Sequence, residues 1–283
     1  MIKPRSAILD LLSPRGRRPI SAAAIVEACA LFDISSNNTR VALARLVADG
    51  RLDKLGPASY ALSEDAEYFN RRVLGWSQLD KLDKGWNTKW TMVHLQSPPS
   101  TRAREYARRA YRFARVAEVN PTLAVRPDNL RLDHYDLRDT LITFGLDGPF
   151  FVSCADVDDY VAEQWVLHLW HTDRLRAAHN RMAARLEASL VRLGRLPFEK
   201  ALVESFIVGG EAIRALVLDP LLPEIFMPGR ERNFVLKLMR AYDQVGRALW
   251  RQFNERFEDS PKVEFAPFQS ALAENGMAPS PQR

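Results

Sequence analysis

Residues 35–52, SSNNTRVALARLVADGRL, restrict the chain more than any other stretch, because both ends of a helix are written into them. A short oxygen-bearing side chain at Ser35 or Ser36 can accept a hydrogen bond from a first-turn amide that has no partner inside the helix. Gly50 supplies the stop, since the residue past the last turn often takes a positive φ that glycine adopts without steric cost. Between these ends Thr39, Ala42, Leu43, Leu46 and Val47 recur at the spacing of a buried stripe. Asn37, Asn38, Arg40, Ala44 and Arg45 are left facing outward. Such a face has two readings. It is a solvated helix surface, or it is a surface for the major groove of DNA, where Asn pairs with adenine, Arg with guanine, and either can hold phosphate.

The flanking sequence bears on that choice. RSAILDLLS predicts a first helix with Ile8, Leu11 and Leu12 inward, and ISAAAIVEACALFDI a second that starts at a Ser21 cap. After Gly50, RLDKLGPASYALS alternates Leu52, Leu55, Tyr60 and Leu62 around Gly56-Pro57, the pattern of a strand, a tight turn and a strand. Three helices followed by a hairpin describe a winged helix-turn-helix with its recognition helix at 36–49. Charge points the same way: residues 1–60 hold nine Lys and Arg against five Asp and Glu, and the rest of the 283-residue chain is nearly balanced at 31 against 30. A local positive excess attracts polyanions and favours them through counterion release. Double-stranded DNA is the expected partner, with Ser36, Asn37, Asn38, Arg40 and Arg45 as candidate contacts.

The remaining sequence divides by pattern. Residues 1–63 form the expected DNA-binding unit, and 64–87 read as a polar, charged connector in which Trp76 and Trp86 fasten the first unit to the next. Within 88–155, KWTMVHLQ is strand-like and halted by Pro98-Pro99, 101–119 is helical, TLAVRP is a short strand and DTLITFGL (139–146) is another. That order suggests a ferredoxin-like α+β unit. Residues 156–258 read as all helix, near 156–170, 173–193, 197–217 and 231–257, and the Pro-, Ser-, Asn- and Gln-rich 259–283 as a tail without fixed structure. The fold class is therefore α+β.

The chemistry classes narrow as well. The apolar share of 47% is ordinary for a soluble chain, and no apolar run reaches bilayer-spanning length, so no membrane role is expected. The first segment, with Asp10 inside it and no small-residue cleavage site, reads as a mature helix rather than a leader. Cys29 and Cys154 lie far apart, which predicts neither a disulfide framework nor a zinc site and suggests the reducing cytoplasm. No Gly-rich phosphate loop, HExxH, GxSxG or CxxC pair is present. His168, His171 and His179 are the remaining candidate metal ligands, the first two spaced to share a helix face. They lie among Trp165, Leu167, Leu169 and Trp170 without a carboxylate cluster, which favours packing or pocket lining. The expectation is a non-enzyme with no cofactor and no metal; the alternative is a metal-dependent enzyme acting on nucleic acid or a CoA ester.

Several of these stretches together resemble the PaaX family of bacterial repressors: TRVALARLVADGRL, the KW at 89–90, LAVRPDNL at 123–130, EQWVLHLW at 163–170 and, most specifically, the proline-framed LDPLLPEIFMP at 218–228. The resemblance spans roughly residues 4–255. It implies a winged helix, a ferredoxin-like middle domain and a helical C-terminal domain, assembled as a homodimeric repressor of an aromatic-acid operon that leaves DNA on binding phenylacetyl-CoA. Trp165, Trp170 and Arg174 are the candidate effector contacts, since a CoA thioester asks for aromatic walls and arginines. Two positions depart from the family pattern. GPASY at the hairpin carries no basic residue, and MPGRERN follows the proline-framed motif where the family has a tryptophan.

Overall fold

Ser21, Ser35, Ser63, Ser100 and Asp133 each place a side-chain oxygen on a first-turn amide, and a helix follows each of them. The computed structural model describes residues 2–15 and 17–255, and shows an α+β chain with two small antiparallel sheets. The tail expected over 259–283 lies outside the described residues.

The first unit runs α1 (Pro4–Leu12), β1 (Ile20–Ser21), α2 (Ala22–Ala30), α3 (Ser36–Ala48), β2 (Leu52–Lys54) and β3 (Ser59–Leu62). Its three strands lie in the order β1-β3-β2, with Ile20 opposite Tyr60 and Leu52 opposite Leu62. Gly50 has φ of 66°, as its place after α3 requires. Ile8, Leu11, Leu12, Ile25, Leu43 and Leu46 are fully buried between the helices.

The segment 64–87 is not a polar connector. It holds α4 (Glu64–Leu74) and a 3₁₀ stretch, Gly75–Lys81. Helix α4 starts at the Ser63 cap with Glu64, Asp65 and Glu67 in its first turn, where acids suit the helix dipole. It spans two cores: Ala66 packs in the first unit's core, Phe69 and Val73 in the second. Trp76 is buried in that second core, while Trp86 is only half-buried.

A β-α-β-β-α-β run follows: β4 (Trp90–Leu95), α5 (Thr101–Ala114), β5 (Ala117–Asn120), β6 (Leu123–Pro127), α6 (His134–Thr143) and β7 (Phe150–Ala155), with sheet order β5-β6-β4-β7. Two elements differ from expectation. The presumed helix over 101–119 ends at Ala114, where Arg115 turns the chain at φ 57° and releases Ala117–Asn120 into an edge strand. DTLITFGL is not a strand but the last turns of α6 and its stop; the Asp133–Asp136 capping box sets the helix despite the β-branched Thr140, Ile142 and Thr143. The edge strand comes later, at Phe150.

Four helices complete the described chain: α7 (Asp159–Trp170), α8 (Thr172–Leu193), α9 (Phe198–Val217) and α10 (Arg230–Asn254). Helices α9 and α10 each bury two stretches. Leu202 and Phe206 of α9 and Trp250 and Phe253 of α10 enter the first unit's core, where Phe206 lies 4.8 Å from Phe32 between ring centroids. Ala212, Ile213 and Leu216 of α9, with Val235, Met239 and Tyr242 of α10, enter the core beneath the four-stranded sheet.

Candidate nucleic-acid interface and aromatic cluster

Helix α3 presents one face to its own core and one to solvent. Thr39, Ala42, Leu43 and Leu46 are buried, while Ser36, Asn37, Asn38, Arg40, Val41, Ala44 and Arg45 are exposed. The Ser35 hydroxyl accepts from the Asn38 amide at 3.3 Å, and Thr39 donates to the Ser35 carbonyl at 3.1 Å, which fixes the first turn. Arg40 and Arg45 have no ion-pair partner among the described residues. The carboxylate at the end of the helix, Asp49, is taken by Arg5, which leaves both exposed guanidinium groups available to an external anion.

The structure adds residues that the sequence pattern did not reveal. The start of α1 lies beside α3, and Lys3, Pro4, Arg5 and Ser6 line a concavity of about 430 Å³ together with Asn38, Val41, Ala42 and Arg45. Pro4 occupies a first-turn position where its missing N–H costs nothing, and no side chain caps α1. Lys3 and Arg5 therefore extend the basic face of α3, with Arg5 also bound to Asp49 at the end of α3. The signal in sequence was only a Lys-Pro-Arg start; its place beside α3 is a product of tertiary packing.

The candidate effector residues sit elsewhere. Trp90, the first residue of β4, is fully buried on the sheet face opposite α5 and α6. Trp165 and Trp170 of α7 pack against it at centroid distances of 5.2 and 6.2 Å, Trp86 at 6.1 Å and Phe226 at 5.9 Å. Among the described residues the Trp90 indole Nε1 has no hydrogen-bond partner. Trp165 and Trp170 are thus brought together, half-buried, while Arg174 stands exposed on α8 with no ion pair or ring contact tying it to the cluster among the described residues.

The histidines do not form a common group. Nδ1 of His168 lies 2.8 Å from the Gln164 carbonyl of its own helix, and His171 is the left-handed break between α7 and α8. His179 is buried, its Nε2 2.7 Å from an Asp219 carboxylate oxygen. Among the described residues no three His, Cys, Asp or Glu side chains gather as a metal site would require. Cys29 is buried and Cys154 exposed, both as free thiols.

Asp219 belongs to the proline-framed segment, which straps α9 to α10 across the end of the sheet. Pro220 and Pro223 bar helix there. Leu221 adopts φ of 52°, a costly conformation for a branched side chain, and both its backbone groups are held: its N–H donates to Asp219 Oδ1 at 2.8 Å, and its carbonyl accepts from Asn129 Nδ2 at 2.8 Å. Arg115, at the end of α5, donates to the carbonyls of Asp219 at 3.0 Å and Val217 at 3.1 Å. Behind Asn129 lies Arg126, fully buried, whose guanidinium is pushed down to about 9 by desolvation and then by Arg115. The strap is thereby fastened to β6, to the α5–β5 turn and, through Phe226, to the tryptophan cluster.

No protein-family profile matches the sequence, and no curated protein does. Among solved structures, the chain is similar to the uncharacterized protein Rv0674 from Mycobacterium tuberculosis, at 23% identity and a TM-score of 0.57, over 88% of this chain and 99% of that one. At that identity the likeness shows a shared fold.

Burial pushes the Asp219 carboxyl up, but His179, Arg232 and the Leu221 amide outweigh it and hold the group below its ordinary value. A folded-state pKa below the unfolded value of about 3.9 contributes stability that is full above that pH and is lost as pH falls through the depressed value. Asp219→Ala is accordingly expected to cost about 3 to 5 kcal/mol at pH 7 by taking the carboxylate away from the Arg232 guanidinium and from the Leu221 amide. In urea titrations the gap to the unaltered protein should narrow below about pH 4. A gap that stays constant with pH would show that the carboxylate charge does not hold the strap.

Proposed function

We propose that this chain is a DNA-binding transcriptional regulator, a PaaX-like repressor that reads double-stranded DNA with α3. The observation that carries the reading is the exposed surface of α3, on which Asn37, Asn38, Arg40 and Arg45 are all in solvent and neither arginine forms an ion pair among the described residues. The order α1-β1-α2-α3-β2-β3 supports a winged helix-turn-helix with α3 in the recognition position, and Lys3 and Arg5 add cations for phosphates beside it. The β-α-β-β-α-β run with order β5-β6-β4-β7 supports a ferredoxin-like middle unit, and α7–α10 a helical third unit. As a repressor of a catabolic operon it acts in the cytoplasm, as a homodimer whose two α3 helices meet successive major grooves. A CoA thioester such as phenylacetyl-CoA releases it, with the acyl group at Trp165 and Trp170 and Arg174 available to a phosphate.

Duplexes selected by the full chain from a random library supply the test. On a selected duplex, Arg40→Ala should weaken binding by about 1 to 3 kcal/mol and relax the preference at one base position. Arg45→Ala, further along the helix, should weaken binding to all sequences alike and make the salt dependence shallower by about one unit of slope. Gel-shift titrations in which neither change alters affinity would remove α3 from the interface.

The effector half of the reading has its own test. Trp170→Ala should bind the selected duplex as the unaltered chain does, yet no longer be released by phenylacetyl-CoA. Equal release from both proteins, or calorimetry showing no acyl-CoA bound, would make the tryptophans core residues only.

A further inference from the structure

Helix α5 carries a local charge that the near balance of the chain beyond residue 60 conceals. Over residues 101–115 there are six arginines and one acid, Glu105. Arg104, Arg108 and Arg112 recur at every fourth position and so form one row about 12 Å long, turned away from the buried Ala107, Ala110 and Ala114. Arg102, Arg108 and Arg112 are exposed and Arg104 is half-buried. The helix dipole does not account for the placement, since Arg102 and Arg104 stand near the N-terminus, where a cation is disfavoured, and the first turn holds no acid. Ion pairs do not account for it either. Arg109 takes Glu105 at 2.8 Å and Arg108 reaches Glu118 of β5 at 3.5 Å, but Arg102, Arg104 and Arg112 form no ion pair among the described residues, and the buried Nε of Arg104 has no hydrogen-bond partner there. At the far end of the row a further cation is brought in. The Arg115 bonds to the carbonyls of Val217 and Asp219 hold the end of α5 against the end of α9, where Arg214 stands one turn earlier; Glu211 of α9 is already taken by Arg185 at 2.7 Å. Partial desolvation and then Arg214 pull the Arg112 guanidinium below its ordinary value, so two like charges meet at this end.

From this we infer that α5 is a second phosphate-binding surface, on which the flank of the duplex read by α3 lies, held by Arg104, Arg108 and Arg112 without any reading of bases. The inference rests on the DNA-binding reading of α3. Planar guanidinium forks match phosphate oxygens two at a time, and a row of them one helical turn apart suits a backbone of evenly spaced charges. Position favours the same duplex. Ala66 of α4 sits in the first unit's core, and Phe69, three residues further along that helix, lies 5.6 Å from Phe113 of α5 between ring centroids. The unit carrying α3 and the helix carrying the row therefore abut, and a duplex that extends one turn, roughly 34 Å, past the α3 site is long enough to reach α5. Backbone contacts of this kind raise affinity for every sequence alike and leave the choice of site to α3.

The test uses the full chain on one site selected from a random library, at two lengths: the site alone, and the site with about ten base pairs added at each end. The unaltered chain should bind the longer duplex about tenfold more tightly at low salt, with a steeper dependence on salt. Arg108→Ser combined with Arg112→Ser should abolish that gain and make the slope on the longer duplex shallower by about two, while binding to the short duplex stays as it was. Both side chains are exposed, so the doubly altered chain should keep the circular dichroism and melting of the unaltered one. Arg108→Lys combined with Arg112→Lys retains the charges and should keep the slope. If the Ser variant and the unaltered chain bind the longer duplex equally while Arg40→Ala loses binding, the inference is wrong and the α3 reading stands. If no duplex is enriched at all, both fall. A lower oligomeric mass in the Ser variant would place a second copy of the chain, not DNA, on α5 and overturn the inference.

Discussion

Phe206 and Leu202 on α9, with Trp250 and Phe253 on α10, sit in the core of the first unit, while other turns of the same two helices line the core under the four-stranded sheet. Interiors pack as solids, so two long helices that share side chains with both cores hold the small unit carrying α3 at a fixed position relative to the sheet. Helix α4 repeats the arrangement, with Ala66 in one core and Phe69 and Val73 in the other. Any shift of α9 or α10 has to be taken up at Phe32, Phe206 and Trp250, directly behind the helices that support α3.

The strap between α9 and α10 is where such a shift would begin. Its left-handed Leu221 costs on the order of 1 to 3 kcal/mol and persists because Asn129 and Asp219 fix both of its backbone groups. Phe226, five residues on, lies 4.6 Å from the Trp86 ring and joins the strap to the cluster around Trp90. In the proposed mechanism an acyl group entering beside Trp165 and Trp170 repacks Phe226, draws on the strap and tilts α10. The energetic demand is definite: driving a two-state repressor from 1:99 to 99:1 takes about 5.5 kcal/mol of differential ligand affinity. Burying an aryl group among tryptophans supplies about 1.5 to 3 kcal/mol of that demand, and the rest falls to contacts with the CoA portion.

Much of the fold was legible where one physical signal acted alone. The Ser35 cap, the buried stripe and Gly50 defined α3 to within a residue, and a long helical pattern broken at Pro197 placed α8 and α9 near their observed bounds. Reading failed where two signals competed. Thr140, Ile142 and Thr143 favoured a strand, and the capping box at Asp133 and Asp136 decided for helix. Polar composition hid α4, whose apolar residues are few, although Ala66, Phe69 and Val73 all pack in a core. The two-residue β1 and the edge strand β5 exist through pairing with distant partners, which no local pattern announces. The candidate interface shows the same division: the α3 residues were readable from periodicity, whereas Lys3 and Arg5 join them only because α1 packs beside α3. The neighbours of Trp165 and Trp170, above all Trp90 and Phe226, likewise depended on the sheet and strap coming together.

The central claim is that the exposed face of α3 lies in the major groove of DNA, twice per dimer. Dimethyl-sulfate probing of a selected duplex reports it directly, because the reagent attacks guanine N7 on the major-groove edge where an arginine binds. The account predicts two protected guanines about 10 base pairs apart, one turn of the double helix, with both protections lost in Arg40→Ala. Unprotected guanines on a duplex that the protein demonstrably binds, or protection that survives Arg40→Ala, would contradict it.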